Sequence, residues 1–346
     1  MNGRPPPSAR AQQLLDESDT LVAEGRDLDA IDLLRNANLE QPDPDIERGL
    51  ARVRHGAYAR LEGGHGFDEW PVPIPGLDRS GPALIPQIAR DELDAEVVRR
   101  HIQSHGCVRV QGLLDRPTTE DFVEGIEQAL ALRAEGTEFE EQHVESWFSP
   151  LPLPRQEAQW LGRHWVAGAG GLLTCDSPKL LFRMFEVYEG AGLHRLLTEY
   201  LGERPVLGAN KCTMRRVPTT ANTDWHQDGA FLGSGIRALN IWVALTDCGV
   251  DAPGIDVVPR RFESIVETGT GGSIFDWAVG PAVVEKLAVD SPVQRPEFAA
   301  GDALLFDELF LHRTGVDPTM ANPRYAIESW FFARSSYPEG QVPIVW

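Results

Sequence analysis

The segment DWHQDGAFL sets His226 and Asp228 two residues apart. On an extended strand that spacing sends both side chains off one face, with Gln227 pointing the other way, so an imidazole and a carboxylate can reach one ion. His312 follows a strand-like run in AAGDALLFDELFLHRTG and completes a set of two imidazoles and one carboxylate. A facial triad of this kind leaves three neighbouring positions open on iron, enough for a bidentate oxoacid and dioxygen. Alone, the HxD spacing is a weak signal, because most histidines serve as surface or hydrogen-bonded core residues.

An anion partner downstream strengthens it. Arg324, twelve residues past His312 in NPRYAIESWFF, opens a strand expected to run beside the metal strands. Its planar guanidinium can hold the distal carboxylate of 2-oxoglutarate bidentately at the back of a pocket. Thr314 shares the face of His312 and offers a hydroxyl donor. An isolated arginine would more simply form a surface salt bridge; the spacing from His312 favours the anion. The remaining histidines, His55, His65, His101, His105, His143, His164 and His194, lie in helical, linker or loop text. His101 and His105 have helical i, i+4 spacing without the glutamate of an HExxH site, and are read as structural.

These side chains need a frame. From Pro205 onward, short apolar runs separated by turn residues (VLGAN, CTMRRV, LNIWVAL, IDVV, ALLFDELF, YAIESWFFA) predict strands in series. Helices expected over 91–104, from Thr118 with Asp121 as a cap to Leu132, over 179–188 and over 193–201 can buttress one face. The fold class is α+β with a mainly β catalytic core, a double-stranded β-helix (jelly roll) backed by helices. Residues 134–176 are read as irregular and rich in tryptophan and glycine, a length of loop that is usually functional or mobile.

The division expected is a helical appendage over 1–62, a Gly/Pro-dense linker over 63–83 and the oxygenase domain over 84–346. Within the appendage, GRDLDAIDLLRNANLEQPD resembles the second half of a tetratricopeptide repeat. One repeat cannot bury its own faces, so the three helices should pack on the catalytic domain or on another subunit, making a homo-oligomer. A peptide-binding groove is the less favoured alternative.

A net charge of −20 repels phosphate backbones and anionic lipids, and no basic stripe offsets it, so neither nucleic acid nor membrane is an expected partner. Cys107, Cys175, Cys212 and Cys248 lack CxxC spacing and read as free thiols. MNGRPPPSARAQQLL shows no charged segment followed by an apolar one, and the cytoplasm is the expected compartment.

With these residues in place, the chain resembles the phytanoyl-CoA dioxygenase family of iron(II)/2-oxoglutarate oxygenases over roughly 84–335. WHQDG is similar to the family's metal block, LNIWVALTDCGVDAPGIDVVP to its core strand pair, and FAAGDALLFDELFLHRTG with NPR to its second-histidine and arginine block. The resemblance implies iron at His226, Asp228 and His312, oxoglutarate at Arg324 and Thr314, and Trp242 flanking the cosubstrate. Asn240 has the strand parity of Trp242 and faces the same side. It implies hydroxylation of a small-molecule or carrier- or peptide-tethered substrate, with desaturation or cyclisation as alternatives; a rival reading is a non-catalytic interaction module using the tetratricopeptide-like helices. Asp228 argues against halogenation, which needs that position vacated. The sequence departs from the family where Arg260, Arg261 and Phe262 follow Pro259; the two arginines are read as a solvated pair rather than an anion site. The turn TGTGGS over 268–273 is read as a surface loop or a cover for the pocket.

Overall fold

The computed structural model describes residues 6–64, 66–78, 83–135, 147–221, 223–233 and 235–346. His65 and His143 lie outside these. Helices α1 (Ala9–Ala23), α2 (Asp27–Glu40) and α3 (Pro44–Arg60) open the chain, followed by β1 (Gln87–Ala89), α4 (Ala95–His105), β2 (Cys107–Gln111) and α5 (Arg116–Glu135). Next come α6 (Arg155–Trp160), α7 (Arg163–Gly168), β3 (Gly171–Leu173), α8 (Pro178–Gly190), α9 (Leu193–Leu201) and β4 (Pro205–Val217). The remainder is α10 (Gly229–Leu232), β5 (Ala238–Ala244), β6 (Gly254–Val257), α11 (Pro281–Leu287), β7 (Ala303–Phe306), β8 (His312–Gly315), β9 (Arg324–Ala333) and β10 (Pro343–Val345).

From β4 on, the chain crosses repeatedly between two sheets. The larger has the order β1-β2-β7-β5-β9-β4-β10, with β3 also on β4. The smaller pairs β6 with β8 and is widened by the bridges Trp225 to Val279, His226 to His312 and Val257 to Gln294. Successive segments thus alternate: β4 in the large sheet, 225–226 in the small, then β5, β6, β7, β8 and β9 in turn. That alternation is the double-stranded β-helix, and it places residues 226 and 312 side by side.

Strand parity sorts the large sheet into two faces. Leu239, Ile241 and Val243 of β5, with Ile327 and Phe331 of β9, pack into the core beneath α8 and α9. Ala238, Trp242 and Ala244, with Ala326, Trp330 and Phe332, turn into the barrel. Burying each such aliphatic or aromatic side chain stabilises the fold by about 1.5–3 kcal/mol.

The appendage packs on this chain's own core. Leu34, Ile46, Leu50, Val53 and Val345 of β10 form one apolar cluster, which Phe182 of α8 joins. Arg35 grips Glu186 with two hydrogen bonds of 2.6 and 2.9 Å. Arg54 donates to the Val345 carbonyl (2.9 Å) and His55 Nδ1 bonds the Pro343 carbonyl (2.9 Å). The face of α3 that an isolated repeat would leave bare is thereby covered.

Several local expectations need correction. Residues 134–176 are not all irregular: α6, α7 and β3 lie there, too short to show a period in the sequence. Helix α5 starts before Thr118 and is capped by Asp115, whose side chain accepts from the Thr118 N–H (2.9 Å). Within the segment read as a linker, the described residues 66–78 touch the core: Gln103 donates to the Val72 carbonyl (2.8 Å) and Trp70 packs edge-on against Tyr200. VLGAN and CTMRRV form one strand with a register shift between Leu207 and Cys212 rather than two strands. Among the described residues no helix is long and apolar enough to cross a membrane.

Candidate metal and oxoacid site

The ligand atoms of His226, Asp228 and His312 all lie within 4.8 Å of one another. Asp228 sits between the imidazoles, its Oδ1 4.0 Å from His226 Nε2 and its Oδ2 3.8 Å from His312 Nε2. Each histidine is oriented in the same way. His226 Nδ1 bonds the Asp224 carbonyl (2.9 Å) and His312 Nδ1 the Phe310 carbonyl (3.0 Å). A carbonyl only accepts, so Nδ1 carries the proton and the Nε2 lone pair faces Asp228; ligating histidines are typically fixed through such a bond. Burial, chiefly, pushes His312 down to about 4, so it stays neutral and available to a metal at physiological pH.

The local geometry differs from the strand expected over 226–228. His226 is in a bridge with His312, but Asp228 has helical φ and ψ and stands as N-cap of α10. The chain turns because Gly229 donates its N–H to the Glu308 carbonyl (2.9 Å), an approach that leaves no room for a side chain. A Cβ there would lie 2.7 Å from Ile265 and 3.1 Å from the Glu308 oxygen. Gln227 does point the other way. Fully buried, it donates to the Leu309 carbonyl (2.6 Å) and accepts from the Val266 N–H (2.7 Å), tying the metal turn to both flanking loops.

Arg324 lies inside the barrel at 1% exposure, paired through β9 with Val217 of β4. It donates to the carbonyls of Pro253 (3.3 Å) and Gly254 (2.5 Å), and its guanidinium carbon stands 5.3 Å from the centre of the Trp242 ring. No carboxylate among the described residues pairs with it. Burial pushes its pKa down only to about 10, which leaves the charge in place at neutral pH. Asn240 and Trp242 face the barrel with it, and three buried polar atoms there lack any partner: Arg324 Nε, Trp242 Nε1 and Asn240 Oδ1. Leaving such atoms unpaired costs about 1–3 kcal/mol each. A small molecule bearing a carboxylate would satisfy the two donors, so the residues present fit an oxoacid. Thr314, two residues past His312 on β8, pairs with Ile255 and donates its N–H to Thr223 Oγ1 (2.9 Å).

Other residues of the site carried no sequence signal. On β4, Thr213 and Arg215 reach across to Glu328 of β9 (3.1 and 2.9 Å), a half-buried ion pair on the barrel face. The Arg215 guanidinium offsets burial and holds the Glu328 carboxyl below its ordinary range. Their period-2 spacing, with Glu328 four residues past Arg324, was the available clue. Trp277 of the segment between β6 and β7 packs edge-on against His226 (5.8 Å between centres) and Phe231 (5.6 Å). The turn 268–273 is only anchored nearby, the Gly269 N–H donating to the Ala278 carbonyl. Arg261 is not solvated as read: it is buried against Asp307, a partner distant in sequence, whereas Arg260 is exposed over the Phe262 ring.

The phytanoyl-CoA dioxygenase (PhyH) family model matches residues 192–324. No curated protein matches the chain significantly. Among solved structures, it is similar to EctD from S. alaskensis with bound Fe, at 15% identity and a TM-score of 0.46 over 75% of this chain and 84% of that one. It is also similar to the non-heme alpha-ketoglutarate-dependent carbocyclase SnoK from nogalamycin biosynthesis, at 18% identity and 0.47 over 73% and 87%. For AviO1 from Streptomyces viridochromogenes Tue57 the values are 17% and 0.44 over 71% and 98%. These likenesses are too distant to give any residue a role. The segment that this family model matches spans both histidines, the aspartate and the arginine.

Proposed function

We propose that the protein hydroxylates a small-molecule or carrier-tethered substrate, using iron(II), 2-oxoglutarate and dioxygen, with His226, Asp228 and His312 holding the metal. The observation that carries this reading is the convergence of three ligand atoms in a barrel that also buries an arginine with no carboxylate partner among the described residues. When bound, iron and 2-oxoglutarate supply an oxidant from dioxygen as the oxoacid is converted to succinate and carbon dioxide. The chain's own contribution is positional. Asp224 and Phe310 carbonyls hold the imidazoles, Arg324 with Trp242 and Thr314 receives the far end of the oxoacid, and the aromatic lining excludes water. Asp228 would be the metal's carboxylate ligand, a position a halide would need vacated, which favours oxygen transfer. In this reading 84–346 carries the chemistry and 1–62 buttresses it through α3, and the four buried free cysteines suit a reducing cytoplasm.

The test is a substrate library screened for succinate release with iron(II), ascorbate and 2-oxoglutarate. A slow background release, stimulated by one chemical class and accompanied by a product one oxygen heavier, is the expected result. A product lacking two hydrogens would replace hydroxylation by desaturation or cyclisation, and no oxoglutarate-dependent succinate under any condition would remove the reading.

A further inference from the structure

Two cations of the barrel strands, Arg324 and Lys211, have no carboxylate partner among the described residues. Arg324 is accounted for by the oxoacid; Lys211 is not. Lys211 belongs to the part of β4 where the register against β9 shifts, between Leu207 and Cys212. Bulged segments of this kind re-aim side chains next to active sites. It shares strand parity with Thr213 and Arg215, whose side chains face the barrel, and its ammonium lies 4.1 Å from the centre of the Phe231 ring. The neighbouring arginines are paired: Arg215 with Glu328, Arg261 with Asp307 and Arg237 with Glu203. Burial pulls the lysine's pKa down, and the fields of Asp228 and Glu328 oppose that fall. A half-buried ammonium over a ring, with no carboxylate bonded to it among the described residues, can receive an anion.

The far carboxylate of 2-oxoglutarate is assigned to Arg324, whose backbone lies well away from that of Lys211. Lys211 stands six residues back along β4 from Val217, the partner of Arg324, which is roughly 20 Å at about 3.3 Å per residue. A five-carbon chain built of bonds of about 1.5 Å spans only roughly 5 Å. The surroundings of Lys211 are aromatic instead. Phe231 lies 6.3 Å from His226 and 5.6 Å from Trp277, centre to centre, and Trp277 stacks on Phe275 at 5.1 Å. A cleft of about 450 Å³, bounded by Phe231, Leu232, Ile236 and Tyr337 and, at its polar side, by Ser336 and Glu339, opens beside the same ring.

We propose that Lys211 anchors the substrate, which carries a carboxylate on an apolar or aromatic body lying against Phe231 and Trp277. The inference rests on the oxygenase reading, and it narrows the substrate to hydrophobic carboxylic acids. With its head held at Lys211, such a molecule runs along the aromatic wall toward His226 and presents a C–H bond to the metal side of the barrel.

The test compares 4-phenylbutyrate and octanoate with their uncharged amides, titrated into metal-free full-length protein and read by tryptophan fluorescence, with Trp277 beside the site. The acids should bind the wild type at least about tenfold more tightly than the amides, and Lys211→Met should erase that preference while Lys211→Arg keeps most of it. Thermal unfolding of the variants separates a lost subsite from a damaged fold, and Lys211→Arg keeps the test valid if the methionine variant fails to fold. Acids and amides binding alike, no saturable binding of either acid, or an unchanged preference in Lys211→Met would each overturn the proposal. So would a loss of 2-oxoglutarate affinity in Lys211→Met, measured with iron(II) under anaerobic conditions, since it would assign the lysine to the cosubstrate. If the wild type itself failed to bind 2-oxoglutarate, the oxygenase reading would fall, while the fluorescence titration would still judge Lys211.

Discussion

His312→Ala or His226→Ala should lose iron binding and all oxoglutarate-dependent succinate release. The two imidazoles and Asp228 are the protein's entire ligand set in this account, and each Nε2 is held in place by a backbone carbonyl on its own Nδ1. Disturbing only such an outer hydrogen bond typically costs 10- to 100-fold in affinity, so deleting a ligand should cost about 100-fold or more. Equilibrium dialysis with iron(II) measures it directly, and circular dichroism checks that removing the buried ring leaves the fold intact. Asp228→Ala differs in kind. Two histidines remain, so some iron should be retained while hydroxylation falls away, and chloride appearing in product would show that the vacated position takes a halide. Unchanged iron binding in both histidine variants would dismiss the triad.

Arg324→Gln is expected to lower the affinity for 2-oxoglutarate by about 30-fold or more, with iron affinity hardly changed. The variant keeps a hydrogen-bonding group near the Pro253 and Gly254 carbonyls but removes the charge and the planar fork. Truncating one partner of a buried, charge-assisted pair costs about 2–5 kcal/mol, and about 1.4 kcal/mol is a factor of ten. Burial strengthens the effect here, since water has little access to the guanidinium at 1% exposure. The affinity is read from oxoglutarate titrations of the iron(II) protein, and coincident curves for wild type and variant would show that Arg324 is not the anchor.

That His226, Asp228 and His312 come together was legible because HxD and a histidine after an apolar run are one-dimensional signals. The geometry behind it was not. Asp228 reaches the imidazoles from the first turn of α10 rather than from a strand, and that turn depends on the Gly229 contact with Glu308, remote in sequence. Strand parity put Asn240 and Trp242 on one side, and in the fold both are buried on that strand, as alternation within one strand survives any packing. Lys211 escaped notice because the register shift in β4 is set by pairing with β9, which no local pattern records. Arg261 was misread for the same reason: its partner Asp307 is brought to it only by the fold. The packing of α1–α3 on β10 and α8 followed from the argument that one repeat cannot cover itself, but the choice between this chain and another subunit needed the contacts of Arg35 and Arg54.

The central claim is that one site binds iron(II) and 2-oxoglutarate together. Its most direct test is an anaerobic titration of 2-oxoglutarate into the wild-type protein loaded with iron(II), followed by visible absorbance. The account predicts a charge-transfer band that needs both components, saturates at one equivalent of each per chain and is absent from His312→Ala. A protein that binds iron(II) but yields no such band with 2-oxoglutarate would contradict it.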